Sequence, residues 1–366
     1  MFVKLKDWLG DNMENTLPKI IRKTSPYLKR PKASVTRMMR DVTIALLPVT
    51  GFAIYKYGMT ALVIIVLSIL SMAVTEYLYY QLIDKLDGDK FKLKNKSFTL
   101  YNFSAITSGL IYSLTLPDNT PWFIVIIGAV FGVFFGKLIF GGLGQNIFNP
   151  AALGRVFIFV SFGTMLSYDV DTVAGATALG MLNNDIFNIA VLDHFSLINL
   201  FTGIGIPGSI GEMSSVLIIL GGVYLAIRTS FEVRIPLTYV GTVVLLASVV
   251  AIYKGLGIWY PIFHVVSGGL LFGAVFMATD PITSPITKGG RIYFGFALGV
   301  LTFFIRVFGA YPEGVVFSIL IMNMFVSSFD YYKWTNQQIT KKQKIIFAIV
   351  VLVTIVITIV GVSYVG

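Results

Sequence analysis

From Val42 onward the chain is built of long apolar runs separated by short polar connectors. The apolar segments fall at roughly 42–57, 59–83, 101–116, 122–142, 150–166, 213–228, 236–254, 262–279, 291–308, 313–330 and 345–365. A membrane-crossing helix needs about 20 apolar residues, so the pattern predicts an all-α polytopic membrane protein with eleven spans. Several segments are shorter than that or are interrupted by glycine and proline, which predicts broken helices. Residues 1–40 follow another pattern. Phe2, Leu5, Leu9 and Met13 recur at helical spacing with Trp8 beside them, on a basic background. This predicts a helix lying on the membrane surface; the alternative is an unstructured leader.

Composition agrees with this picture. Apolar residues make up 56% of the 366, charged residues only 13%, and the mean hydropathy is +0.81, whereas a soluble domain is about one quarter charged. The net charge of +10 follows topology rather than forming a nucleic-acid face. Ten Lys and Arg lie between Lys4 and Arg40. Further basic residues fall in alternate connectors: Lys85, Lys90, Lys92, Lys94 and Lys96; Arg228 and Arg234; Lys288 and Arg291; Lys333, Lys341, Lys342 and Lys344. The connectors on the other side hold Lys56, Lys254 and Arg306 near helix ends. The long loop from Ser167 to Glu212 has no Lys or Arg, but carries Asp169, Asp171, Asp185, Asp193 and Glu212. By the positive-inside rule the N-terminus is cytoplasmic and this loop and the C-terminus face outward. No cleavable signal peptide is expected, because the first long apolar run begins only near Val42. With no cysteine, the chain can hold no thiolate-bound iron–sulfur cluster of its own. His194 and His264 are too few and too scattered to suggest a haem.

The chain also repeats itself weakly. Ser108-Gly109-Leu110-Ile111 heads a segment ending in Leu116-Pro117-Asp118, and Gly268-Gly269-Leu270-Leu271 heads one ending in Asp280-Pro281. Lys137-Leu138-Ile139-Phe140-Gly141-Gly142 is echoed by Arg306-Val307-Phe308-Gly309-Ala310. The halves are about 160 residues apart with five spans each, and an odd number per half inverts one relative to the other. Such repeats place functional groups at their interface, often on discontinuous helices.

Four constellations could carry chemistry. Asp171-Thr172-Val173-Ala174-Gly175-Ala176-Thr177 sits in the acidic loop. A hydroxyl framed by residues with no bulk, six positions after a carboxylate, is accessible to another enzyme and suits covalent attachment of an organic cofactor through a phosphoester. The alternative is an ordinary polar loop. Second, the turn from Gly141 to Arg155 is rich in Gly and Asn. Non-helical backbone at membrane depth is tolerated where it is buried in protein or lines a cavity. Asn149 and Arg155 are therefore candidates either for a ligand wall or for a turn that locks two helices. Third, Glu76, Asp280 and Asp330 lie in or beside apolar runs. Carboxylates so placed are candidates for an ion path, with helix capping or ion pairing as the plain alternative. Fourth, Ser209 and Glu212 have the spacing of a capping box before the next helix.

Taken together, these motifs resemble the D subunit of the Rnf ion-translocating electron transport complex, and next to it the homologous B subunit of the sodium-translocating NADH:quinone oxidoreductase. The resemblance covers about residues 30–332. It is carried by Ser25-Pro26, by Arg40-Asp41-Val42-Thr43-Ile44-Ala45-Leu46-Leu47-Pro48, by the Gly141–Arg155 turn, by the Asp171–Thr177 tract and by Pro207–Glu212. Met277-Ala278-Thr279-Asp280-Pro281, Tyr311-Pro312-Glu313-Gly314 and Met322-Asn323 complete the set. Leu143-Gly144-Gln145-Asn146-Ile147-Phe148-Asn149-Pro150 looks more like the Rnf branch.

The resemblance implies FMN in phosphoester linkage to Thr177, installed by a flavin transferase that recognises Asp171, Gly175, Ala176 and Thr177. Ala174 stands where a hydroxyl residue is usual. It implies a ten-helix, urea-transporter-like core of two inverted five-helix repeats, to which this chain adds one C-terminal span. In members on the Nqr side it also implies a further non-covalent riboflavin, for which the Gly141–Arg155 turn is a candidate wall here, and a role in cation uptake for acidic residues matching Glu76, Asp280 and Asp330. The expected organisation is a basic N-terminal segment (1–40), a membrane core (41–332) with the flavin-bearing loop at 167–212, and an extra helix (333–366). The expected role is a multi-pass subunit in a prokaryotic cell membrane. It would pass electrons coupled to Na⁺ or H⁺ movement beside flavoprotein and iron–sulfur subunits, and would be inactive alone. A small-solute channel without flavin is the rival reading.

Overall fold

The computed structural model describes residues 34–86, 102–166, 169–170, 173–174, 197–203, 208–212, 214–309, 314–331 and 340–365. Asp171, Gly175, Ala176 and Thr177, the N-terminal segment before residue 34 and the Tyr311-Pro312-Glu313 motif lie outside the described residues.

Among the described residues, every regular element is helical apart from one small hairpin. In chain order these are α1 (Val35–Tyr57), α2 (Met59–Leu86), α3 (Ser104–Leu114), α4 (Trp122–Gly136) and α5 (Pro150–Phe162). Strands β1 (Asp169–Val170) and β2 (Val173–Ala174) pair antiparallel, Asp169 opposite Ala174. Then come α6 (Leu197–Thr202), α7 (Ser215–Arg228), α8 (Arg234–Lys254), α9 (Trp259–Val266) and α10 (Leu270–Phe272), which continues as a π-helical turn over Gly273–Met277. The last are α11 (Lys288–Phe308), α12 (Gly314–Met324), α13 (Val326–Phe329) and α14 (Lys341–Val365).

Among the described residues, six helices are long and apolar enough to cross a membrane, and the α9–α10 pair makes a seventh if taken as one span bent by 59°. Four more apolar helices, over Ser104–Leu114, Pro150–Met165, Ser215–Arg228 and Gly314–Met324, are shorter. The protein is thus a polytopic, all-α membrane protein. The apolar runs locate these helices, and the run at 262–279, read from the sequence as one segment, is broken in the structure between Val266 and Leu270. Leu70, Leu78, Leu220, Leu237 and Leu352 are exposed, as lipid-facing residues are.

Small residues bring helices together where lipid offers no hydrophobic driving force. A methyl added at Gly132 would meet the Pro150 carbonyl and Gly154, and one at Gly299 would meet Thr242 and the Tyr239 carbonyl. These contacts set α4 against α5 and α8 against α11. The added helix α14 docks through Phe347, edge-on to Tyr293 and Phe296, while Gly361 accepts the ring of Phe308.

Candidate functional site

Buried charge must be paired or hydrogen-bonded, and Lys137, Asp41 and Arg306 each have a specific solution. Lys137 ends α4, and its ammonium is 2% exposed. It donates to both Glu76 carboxylate oxygens, at 2.9 and 2.8 Å, and to Ser104 Oγ at 2.8 Å. All three donors of the ammonium are thereby used. Glu76 thus neutralises a neighbouring cation, and the three residues tie α2, α3 and α4 together.

Asp41 is fully buried on α1 and accepts from Arg228 Nη2 at 3.1 Å and from Ser230 Oγ at 2.5 Å. Arg37 Nε lies 3.6 Å from the same carboxylate. This network fixes the first span to the α7–α8 corner. A charge inside an apolar run announces a partner; that signal pointed to Glu76 without naming Lys137, while Asp41 and Lys137 stand out in the sequence only as members of motifs.

Arg306, near the end of α11, serves backbone instead. It donates to the carbonyls of His264 (2.7 Å), Ser267 (3.1 Å) and Gly268 (2.8 Å). These carbonyls lie at the end of α9, where the bend leaves groups without helical partners.

Asp330 is a cap. One oxygen accepts from Ile286 N at 2.8 Å, and the other accepts from Thr287 N at 2.9 Å and Thr287 Oγ1 at 2.7 Å. Thr287 in turn caps α11 by accepting from Gly290 N.

Asp280 is placed differently. It lines a cavity of about 40 Å³, together with Thr107, Ser108, Lys137, Asn146 and Asn149, where the start of α3, the α4–α5 turn and the segment after α10 meet. That volume admits about three waters. Thr283 Oγ1 donates to Asp280 at 3.0 Å. Burial pushes the Asp280 carboxyl above its usual range, while the Thr283 hydroxyl and the Lys137 charge pull it down.

Asn149 is committed to structure. Its side-chain oxygen accepts from the amides of Ala151 (3.0 Å) and Ala152 (3.3 Å), capping α5, and its amide donates to the Met277 carbonyl at 3.3 Å. It thus locks the Gly141–Arg155 turn to the end of the bent pair. Arg155 is buried one turn on, with its guanidinium 5.8 Å from the Phe159 ring centroid.

At the opposite end of these helices the 208–212 turn closes on the chain. Ile210 N donates to Leu116 O at 2.9 Å and Gly211 N to Leu114 O at 2.7 Å, capping the end of α3. The Glu212 carboxylate lies against Gly269. The capping residue of α7 is Ser214, which accepts from Leu217 N, and not Ser209. Glu212 lies instead at the bend between α9 and α10. Lys56 donates to Gly203 O at 2.8 Å at this same end.

Residues 21–338 match the family described as the NQR2, RnfD, RnfE family. The D subunit of the Na(+)-translocating ferredoxin:NAD(+) oxidoreductase complex of Acetobacterium woodii is 38% identical over 307 residues, covering 82% of this chain and 89% of that protein. The D subunit of the proton-translocating ferredoxin:NAD(+) oxidoreductase complex of Clostridium ljungdahlii is 37% identical over 317 residues, with coverage of 82% and 90%. The D subunit of the ion-translocating oxidoreductase complex of Stutzerimonas stutzeri is 35% identical over 341 residues, again covering 82% and 90%.

Proposed function

The chain belongs to the NQR2, RnfD, RnfE family, and from that premise we propose that it is the D subunit of an ion-translocating Rnf complex, a ferredoxin:NAD⁺ oxidoreductase. The match to three relatives, each named as a D subunit, along four fifths of the chain carries this reading. Other subunits of the complex are its partners, with flavoprotein and iron–sulfur subunits supplying the chemistry that a chain without cysteine lacks. Identity divides almost equally between a sodium- and a proton-named relative, at 38% and 37%, so the coupling ion is Na⁺ or H⁺.

The proposed attachment point is the Thr177 hydroxyl, with FMN bound as a phosphoester. Two observations fit the group. Ala174, Gly175 and Ala176 directly precede the hydroxyl, and Val170 pairs with Val173 a few residues earlier. When bound, the flavin supplies one- and two-electron redox chemistry. The chain itself presents Asp171, Gly175, Ala176 and Thr177 to a flavin transferase. The loop is assigned to the outer face of the cell membrane, and the N-terminus to the cytoplasm.

Riboflavin does not fit the small cavity beside Asn149. Sites for cofactor-sized ligands run to about 300–1,000 Å³, against about 40 Å³ here, and Asn149 is already bonded on both sides.

Two inverted five-helix repeats are supported by the cations at the ends of α4 and α11. Lys137 binds Ser104 and Arg306 binds His264, and each of these partners lies four residues before its motif, at Ser108-Gly109 or Gly268-Gly269. Of the three carboxylates proposed for an ion path, Asp280 alone lines the small cavity between helices. Glu76 reaches that cavity through Lys137.

Coexpression with a flavin transferase tests the central claim. The expected result is a fluorescent band that survives a denaturing gel, disappears in Thr177→Ala and adds the mass of FMN to the intact chain. A band that persists in Thr177→Ala refutes the site.

A further inference from the structure

A second and larger cavity, of about 460 Å³, opens beside α1 between the α7–α8 corner and the 279–291 segment. Its size falls in the range of ligand sites, about 300–1,000 Å³. Its walls combine an apolar part, which includes Phe231 and Ile286, with a charged part made of Arg234, Arg291 and Glu232, and Ser284 adds a hydroxyl. Arg291 Nη1 lies 2.7 Å from one Glu232 oxygen, and Arg234 Nη1 lies 3.6 Å from the other. One carboxylate between two guanidiniums leaves the group with one net positive charge, and an arginine keeps its charge at every relevant pH. Arg291 Nε donates to Pro285 O at 2.9 Å, which fixes that side chain. The Arg234 side chain is 42% exposed and that of Arg291 21% exposed. Both retain N–H groups for an incoming anion.

The depth of the cavity selects the source of that anion. Two membrane-length helices, α8 and α11, begin here, at Arg234 and Lys288. Leu237 on the first turn of α8 is 67% exposed, and Ile286, on the cavity wall, is 74% exposed. Positive charge is therefore held at the level where lipid-facing surface begins, which is the level of the headgroups. Basic pockets between spans at this depth suit anionic headgroups.

We propose that this cavity is a binding site for the phosphate of an anionic phospholipid, with Arg234 and Arg291 as its ligands, Glu232 as the charge that moderates its affinity, and the Phe231–Ile286 wall against the glycerol and upper acyl chains. The site has a bearing on the helical core. Thr279 and Pro281 line both this cavity and the small one, so the occupant rests against the segment that carries Asp280. The proposal depends on the membrane fold and not on the flavin.

The test uses the full chain in its complex, stripped of lipid and placed in phosphatidylcholine nanodiscs with increasing phosphatidylglycerol, with retained lipid read by native mass spectrometry. Wild type is expected to retain phosphatidylglycerol over phosphatidylcholine. Arg234→Gln and Arg291→Gln are each expected to lower that preference about fivefold, and Glu232→Gln to raise it by a similar factor. A gain in Glu232→Gln cannot come from misfolding, so the site remains testable if the arginine variants fold poorly. Equal retention of the two lipids by wild type, or no gain in Glu232→Gln, overturns the proposal. Displacement of phosphatidylglycerol by millimolar inorganic phosphate overturns it as well, because the ligand would then come from solution.

Discussion

The Glu212 carboxylate packs against Gly269, a residue with φ +66° at the bend between α9 and α10. Glu212 ends the loop that contains Thr177, and the same turn donates backbone N–H groups to Leu114 and Leu116 at the end of α3. One short turn therefore meets both the end of α3 and the bend of the α9–α10 pair, whose motifs are about 160 residues apart in sequence.

That contact predicts non-additive stability. Gly269→Ala places a methyl on the Glu212 carboxylate and also strains a left-handed residue. Gly257→Ala, at φ +79° with open space around it, carries the strain alone, at about 1 kcal/mol. Gly269→Ala should cost about 1–3 kcal/mol more than Gly257→Ala. Adding Glu212→Ala to Gly269→Ala should recover most of the difference, as a double-mutant cycle of thermal midpoints in detergent would show. Simple addition of the two single effects would contradict the contact.

The Glu76–Lys137 pair predicts a second cycle. Removing one member strands a buried charge, at about 3–5 kcal/mol. Lys137→Met should therefore be severe, and Glu76→Gln/Lys137→Met markedly milder than Lys137→Met alone. Equal damage in the single and double variants would show that Lys137 depends on some other group.

Asp330 should behave as a cap. Asp330→Ala should cost about 1–2 kcal/mol of stability and leave the ion concentration for half-maximal activity of the complex unchanged. Asp280→Ala should shift that concentration. A shift caused by Asp330→Ala, at unchanged stability, would return Asp330 to the ion path.

Tyr260 and His264 predict internal water. Both are buried, and their rings pack 4.6 Å apart between centroids. Among the described residues, the Tyr260 hydroxyl and both His264 ring nitrogens have no hydrogen-bond partner. Buried polar groups in this state are served by ordered water. An experimental map at high resolution should show water within hydrogen-bond distance of Tyr260 Oη and of at least one His264 nitrogen. A dry site would contradict this.

Much of the architecture was legible in the chain. Apolar runs locate the helices to within a few residues because lipid demands that each span satisfy its own backbone and present an apolar surface. The break near Gly268-Gly269 was not read there: the run at 262–279 reads as one apolar segment, and only the structure shows the bend. Nor were the partners of the buried ions legible. Glu76 and Lys137 are 61 residues apart, and Asp41 and Arg228 are 187 apart, so no local pattern links them.

The sequence by itself determined a polytopic helical membrane protein, its family, and a small-residue tract around Thr177 in an acidic loop. These are consequences of composition and short-range order. Only the tertiary structure decided which groups these side chains meet. It gave Asp330 to a helix cap, Glu76 to Lys137 and Asn149 to the Met277 carbonyl, and it left Asp280 lining a cavity. The reason is physical: a carboxylate in an apolar run declares that a partner must exist, but packing of distant helices chooses that partner.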